Sequence, residues 1–161
     1  MLARLIRRIP RDWLVYMYRH MPLKGLKNTI VYRTQHKFLV AVLGVITNDA
    51  GEVLLLKHTY RDKEPWGIPG GWMEMEKPEQ ALEREIWEET QFKVTITRLE
   101  RAIYSTKPGR VELVYRGIVT GGTFQANSEI SEAMFCDRMH LPADLPSHQK
   151  RLIAAILDGE K

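Results

Sequence analysis

Two apolar runs joined by one short polar turn limit what this chain can fold into. Residues 38–47 (FLVAVLGVIT) form its longest apolar stretch, rich in β-branched side chains and interrupted by Gly44. A run of that length and composition suits a buried strand and falls short of the ~18 apolar residues expected of a membrane-spanning helix. Asn48, Asp49, Ala50 and Gly51 then form a turn signal, and residues 52–58 (EVLLLKH) return as the hairpin partner, with Val53, Leu54, Leu55 and Leu56 in a buried run.

Further elements follow. Residues 60–65 read as a polar loop, leading into Trp66-Gly67-Ile68-Pro69-Gly70-Gly71. Pro78 suits the first turn of a helix that runs to about Thr90. Strands are predicted over 92–105 and 111–119, joined by the turn Lys107-Pro108-Gly109-Arg110, and a shorter one over 132–137. A last helix over 148–157 places Leu152, Ile153 and Ile156 on one face. Strands and helices mix without regular βαβ alternation, so the predicted class is α+β, with helices packed on a mixed sheet. The 161 residues are enough for one such domain.

The segment before residue 35 has a different character. Leu2, Leu5, Ile6 and Ile9 have the spacing of an amphipathic helix, Pro10 interrupts it, and residues 11–20 read as a second helix carrying Trp13, Leu14, Tyr16, Met17 and Tyr18. Pro22, Gly25 and Lys27 mark a connector. Residues 1–37 hold nine Lys and Arg against one Asp, a net charge of +8, so the remainder carries −4 of the overall +4. The expected division is therefore a basic helical extension, residues 1–34, and a mildly acidic body, residues 35–161. The extension can pack on the body or on a second copy in a homodimer, lie on an anionic membrane surface, act as a targeting segment, or remain a free arm. No nucleic-acid motif accompanies its charge. The single cysteine, Cys136, excludes an internal disulfide and a cysteine-based zinc site and fits a reducing, cytoplasmic setting.

The chemistry is concentrated in residues 70–92, GGWMEMEKPEQALEREIWEETQF. On the predicted helix Glu85, Glu88 and Glu89 stand at i, i+3 and i+4 and share one face, while Ala81, Leu82 and Ile86 lie on another. Like charges so spaced weaken a helix unless a cation offsets them, and hard, oxygen-ligated Mg²⁺ is suited to that. A solvated Glu-rich helix face is the plain alternative. Gly70, Glu76, Arg84, Glu85, Ile86, Glu88, Glu89 and Phe92, in this spacing, resemble the box of the Nudix hydrolases, including its six positions of fixed identity. Two features depart from the family pattern. Gln91 replaces the glycine that ends the helix, and only residues 72–75 separate Gly71 from Glu76, one fewer than in many members. The likeness extends over about residues 35–158.

That resemblance implies an α/β/α sandwich around a mixed sheet and hydrolysis of a phosphoanhydride with Mg²⁺, or Mn²⁺, as cofactor. The ions would neutralise phosphate charge and activate a water for in-line attack on phosphorus. Carried over by position, Glu85, Glu88, Glu89 and the Gly70 carbonyl would hold metal, Glu76 would support them, and Arg84 would orient Glu85. The general base would be Glu85, or Glu129 or Glu132 from the later segment 127–132. Lys57, His58, Tyr60, Arg61, Lys63, Trp72, Tyr104, Lys107 and Arg110 are candidates to contact phosphates or stack on a base. The expected substrate is a small nucleotide, first a nucleoside diphosphate linked to another moiety, next a nucleoside triphosphate. Pro108, sixteen residues beyond the box, has the spacing of ADP-ribose-cleaving relatives, although a turn is a sufficient reason for a proline there. A nucleotide-sensing module without catalysis is the alternative from another class.

Overall fold

The computed structural model describes residues 10–20, 28–29, 32–33 and 35–159. The chain divides into two compact units, residues 1–37 and 38–161. In the first, helix α1 (Arg11–His20) exposes Trp13, Val15 and Tyr16, and the Tyr16 and His20 rings stack with centroids 4.2 Å apart. The amphipathic stretch 2–9 and the connector residues Pro22, Gly25 and Lys27 lie outside the described residues.

The second unit is built on a seven-stranded sheet. Its strands are β1 (Leu39–Thr47), β2 (Val53–His58), β3 (Trp66–Gly67), β4 (Gly70–Trp72), β5 (Phe92–Thr106), β6 (Gly109–Gly122) and β7 (Ile130–Cys136). Helix α2 (Pro78–Thr90) follows β4 and helix α3 (Ser147–Leu157) closes the unit, after a single 3₁₀ turn at Arg138–His140. The main path runs β3-β2-β1-β6-β5, with β4 paired to β1 and β7 to β2. β1 and β6 are parallel and the other pairs antiparallel, so the sheet is mixed. The β1–β2 turn is tied by Asn48, whose Oδ1 accepts from the Ala50 and Glu52 amides.

Apolar residues of the central strands feed two cores, one on each face. Val42, Ile46, Leu54 and Leu56 pack with Ala81, Leu82 and Ile86 of α2. Val45, Val53, Leu55, Trp66 and Ile68 pack with Leu145, Ile153 and Ile156 on the α3 side. The result is the expected α+β sandwich of helix, mixed sheet and helix. Residues 66–71, which read from sequence as a turn, instead contribute to two short strands, β3 and β4. Their backbones add to the edges left by β2 and β1, pairing that apolar periodicity cannot reveal in segments of two and three residues. Among the described residues no helix is long and apolar enough to cross a membrane.

Candidate active site

β4 and α2 together place the carboxylates. Gly70 sits at φ +147°, and a Cβ there would lie 2.1 Å from the Val42 carbonyl oxygen, so only glycine lets β4 approach β1 this closely. At Gly71 a Cβ would lie 2.3 Å from a Glu85 carboxylate oxygen, so the missing side chain is the space in which Glu85 rests. Pro78 starts α2 at its first turn, and Gln91 ends it in the left-handed conformation at φ 63°. The glycine of the family pattern is thus replaced without moving the helix end: the Gln91 amide still donates to the Trp87 carbonyl, as does its side-chain Nε2.

Arg84 organises three of the acids. Its Nε and Nη2 donate to Glu76 at 3.1 and 2.8 Å, and Nη1 to Glu85 at 2.9 Å and to Glu88 at 3.1 Å. The short loop before the helix therefore still brings Glu76 to the cluster, through Arg84. These hydrogen bonds and neighbouring negative charges raise the Arg84 pKa further, so it stays charged. Glu89 is outside this network. Among the described residues it accepts a 3.3 Å hydrogen bond from the Gly70 amide, and burial, aided by the charges of Glu85 and Glu129, pushes its carboxyl up to about 8. Burial also raises the Glu85 pKa against the opposing pull of Arg84.

Glu85, Glu88, Glu89, Asn127, Ser128 and Glu129 line a pocket of about 310 Å³. It adjoins a larger cleft of about 1300 Å³, which shares Glu85, Glu89 and Glu129. Among the described residues no three His, Cys, Asp or Glu side chains stand close enough to enclose a single ion, because Arg84 draws Glu85 and Glu88 to itself. The donor chemistry nevertheless fits a hard divalent cation: the pocket brings carboxylates of Glu85, Glu88, Glu89 and Glu129 together, and burial disfavours the charged form of Glu89, which a cation would offset. Glu88 and Glu89 also occupy the last turn of α2, at the negative end of the helix dipole, where no basic residue stands.

The remaining candidates separate into two groups. Tyr60, Arg61, Trp72 and Arg110 line the large cleft; Lys57, Lys63, Tyr104, Lys107 and Glu132 do not. Glu132 and Lys57 are cross-strand partners of β7 and β2 and form a 2.6 Å ion pair with each other. Pro108 stands at the tip of the β5–β6 hairpin. His58 is buried, its Nδ1 within 3.1 Å of the Tyr60 hydroxyl and its Nε2 without a hydrogen bond. Burial, with the nearby Arg61 charge, lowers its pKa to about 4, so it is neutral and no phosphate anchor. Arg110 is paired at 2.6 Å to Glu112, a residue that sequence reasoning missed. Arg101, Ile103 and Ser105 of β5, with His148, Arg151 and Leu152 of α3, also line the cleft and were missed. Alternation along β5 puts Arg101, Ile103 and Ser105 on one face, yet only the sheet order shows that this face is the cleft floor.

Known proteins share this fold. A "MutT-like protein" of Streptomyces ambofaciens is 36% identical over 91 residues, covering 56% of this chain and 58% of that relative, so the chain matches little more than half of its length. A solved UDP-X diphosphatase superposes with a TM-score of 0.67 at 24% identity, covering 94% of this chain and 80% of that one. An ADP-ribose pyrophosphatase of Streptococcus suis superposes with a TM-score of 0.63 at 21% identity, covering 78% and 93% respectively. Both share the fold. The NUDIX domain model matches residues 37–156, from the first strand through the carboxylate helix to the end of α3, and the chain therefore belongs to the Nudix hydrolase family.

Proposed function

We propose that the protein hydrolyses the phosphoanhydride bond of a nucleoside diphosphate linked to another moiety, with Mg²⁺ or Mn²⁺ as cofactor. The observation that carries the reading is the shape of the cleft. Its carboxylates stand at β4, and its floor continues over β1 and β6 to β5, through Ala41, Glu112 and Ile103, which are neighbours in register. Three strand spacings amount to roughly 14 Å. A cleft that long can hold a diphosphate at one end and a polar moiety at the other. The printed names of the two structural neighbours, a UDP-X diphosphatase and an ADP-ribose pyrophosphatase, describe substrates of that form.

In this reading Glu85, Glu88, Glu89 and the Gly70 carbonyl hold the cation. When bound it would offset phosphate charge and make a water more acidic. Arg84 keeps Glu85 and Glu76 oriented, while Arg61 faces the same cleft and suits a phosphate oxygen. Glu129 is the proton acceptor for the attacking water in this reading, which its lining of both pockets with Glu85 and Glu89 supports. Glu132, held by Lys57 on the ladder, is not. The triphosphate alternative draws support from the MutT-like relative. A sensing module is disfavoured because the full set of box carboxylates is present. Residues 35–161 would form the hydrolase domain and residues 1–34 a basic extension that packs on it or on a second copy.

The test is monophosphate and phosphate release from nucleotide sugars, ADP-ribose, dinucleoside polyphosphates and nucleoside triphosphates with Mg²⁺ or Mn²⁺. Turnover of a diphosphate-linked substrate, lost on chelation and in Glu89→Gln, is expected. Turnover of triphosphates alone selects the alternative, and tight binding of an intact nucleotide without turnover selects the sensing module.

A further inference from the structure

The loop that carries Glu129, residues 123–129 between β6 and β7, has no regular structure of its own. A side chain on such a loop holds a reacting position only if the loop is fastened. Asn127 fastens it to the carboxylate helix. Its Nδ2 donates to the main-chain carbonyls of Glu88 and Glu89, each at 3.1 Å. Its Oδ1 accepts from the amides of Glu129 at 2.9 Å and Ile130 at 2.8 Å. Two donors and two lone pairs are the full capacity of a side-chain amide, and all four are used. The carbonyls it takes belong to the last turn of α2, where backbone acceptors have no partner within the helix. A second tie comes from the opposite side: the Thr59 amide donates to the Glu129 carbonyl at 2.8 Å, and the Thr59 hydroxyl to that of Ser128 at 2.7 Å.

We infer that Asn127 is a positioning residue, setting the Glu129 carboxylate against Glu85 and Glu89 by coupling its loop to the end of α2. This rests on the proposed hydrolase and on Glu129 as its proton acceptor. The four bonds join the backbone that carries two acids of the helix to the backbone that carries the third. Thr59 does not reach α2, and the Gln125 amide ties the loop to the helix end only at the Thr90 carbonyl, 3.2 Å away and four residues before Glu129.

Asn127→Asp cuts the tie to the helix while adding one negative charge beside Glu88 and Glu89. Aspartate keeps the acceptor for the Glu129 and Ile130 amides, so the turn survives, but it loses both donors to the helix. The expected result is a fall in kcat of about 10- to 100-fold, with KM within about threefold, since small displacements of a reacting group have costs of this size. On a Glu129→Gln background the same substitution should cause no further loss. Hydrogen exchange of residues 123–129 should accelerate while that of α2 stays unchanged, a readout that needs no substrate. An unchanged kcat, losses that multiply with those of Glu129→Gln, or unaltered loop exchange would each overturn the role of Asn127 and leave the hydrolase reading standing. Full activity of Glu129→Gln alone would remove Glu129 as proton acceptor and Asn127 with it. Absence of turnover by the unaltered protein on any substrate would remove the hydrolase reading itself.

Discussion

Glu89 shows what burying a carboxyl costs a fold. Its carboxyl has a folded pKa of about 8 against an ordinary value of 4.5. Between these values the folded protein binds more protons than the unfolded chain, so the contribution of Glu89 to stability is present below about pH 4.5 and is lost as pH rises to about 8. Glu89→Gln keeps the shape and removes the titration. In metal-free protein at pH 8 this variant should be more stable than the parent by roughly 1–3 kcal/mol in urea unfolding, and the gap should close towards pH 5. The same variant should lose at least about 10²-fold in kcat. Equal stability of the two proteins at pH 8 would show that Glu89 is charged without a cation.

At the scale of elements, α2 is positioned by both neighbours in sequence, the β4 glycines before it and Gln91 after it. Gly71→Ala places a methyl group where the Glu85 carboxylate rests, and that carboxylate is the flexible end of a side chain. The fold should survive while Mn²⁺ affinity and kcat each fall about 10-fold or more, by titration and by steady-state kinetics. Retained affinity would mean that Glu85 has another productive position. Gln91→Gly relieves a left-handed residue at the helix end and should stabilise by roughly 0.5–1 kcal/mol in chemical denaturation, with kcat unaltered. A loss of stability would show that the Gln91 side-chain bond to Trp87 outweighs the backbone strain.

For the whole molecule, the question is what the sheet assembles beyond the box. β5 and β6 bring Ile103, Arg110 and Glu112 to the floor that begins at β4, beside the α2 carboxylates. Glu112 has a largely buried carboxylate, one oxygen of which is held by Arg110, and it lines the cleft, where a carboxylate can accept from a hydroxyl or amino group of the second moiety. Glu112→Gln should therefore raise KM severalfold for diphosphate-linked substrates and leave inorganic-like or short polyphosphate substrates unaffected. A uniform change across all substrates would place Glu112 in structure and not in selection.

Much of this was legible beforehand, for identifiable reasons. The continuous apolar run of β1, the Asn48 turn and the i, i+3, i+4 spacing of Glu85, Glu88 and Glu89 are local patterns, and local patterns act through neighbours in the chain. They determined the hairpin, the carboxylate helix, the class and, through the box, the family. The tertiary structure decided what depends on separate segments meeting. Register placed Glu132 on Lys57 and kept it from the cleft, while the 123–129 loop put Glu129 beside Glu85 and Glu89. Burial made His58 neutral, and the sheet order brought Arg110, paired to Glu112 on its own strand, to the lining of the large cleft. A sequence lists charges without their surroundings, and it is desolvation and the opposing charge brought by a distant strand that set what each group can do.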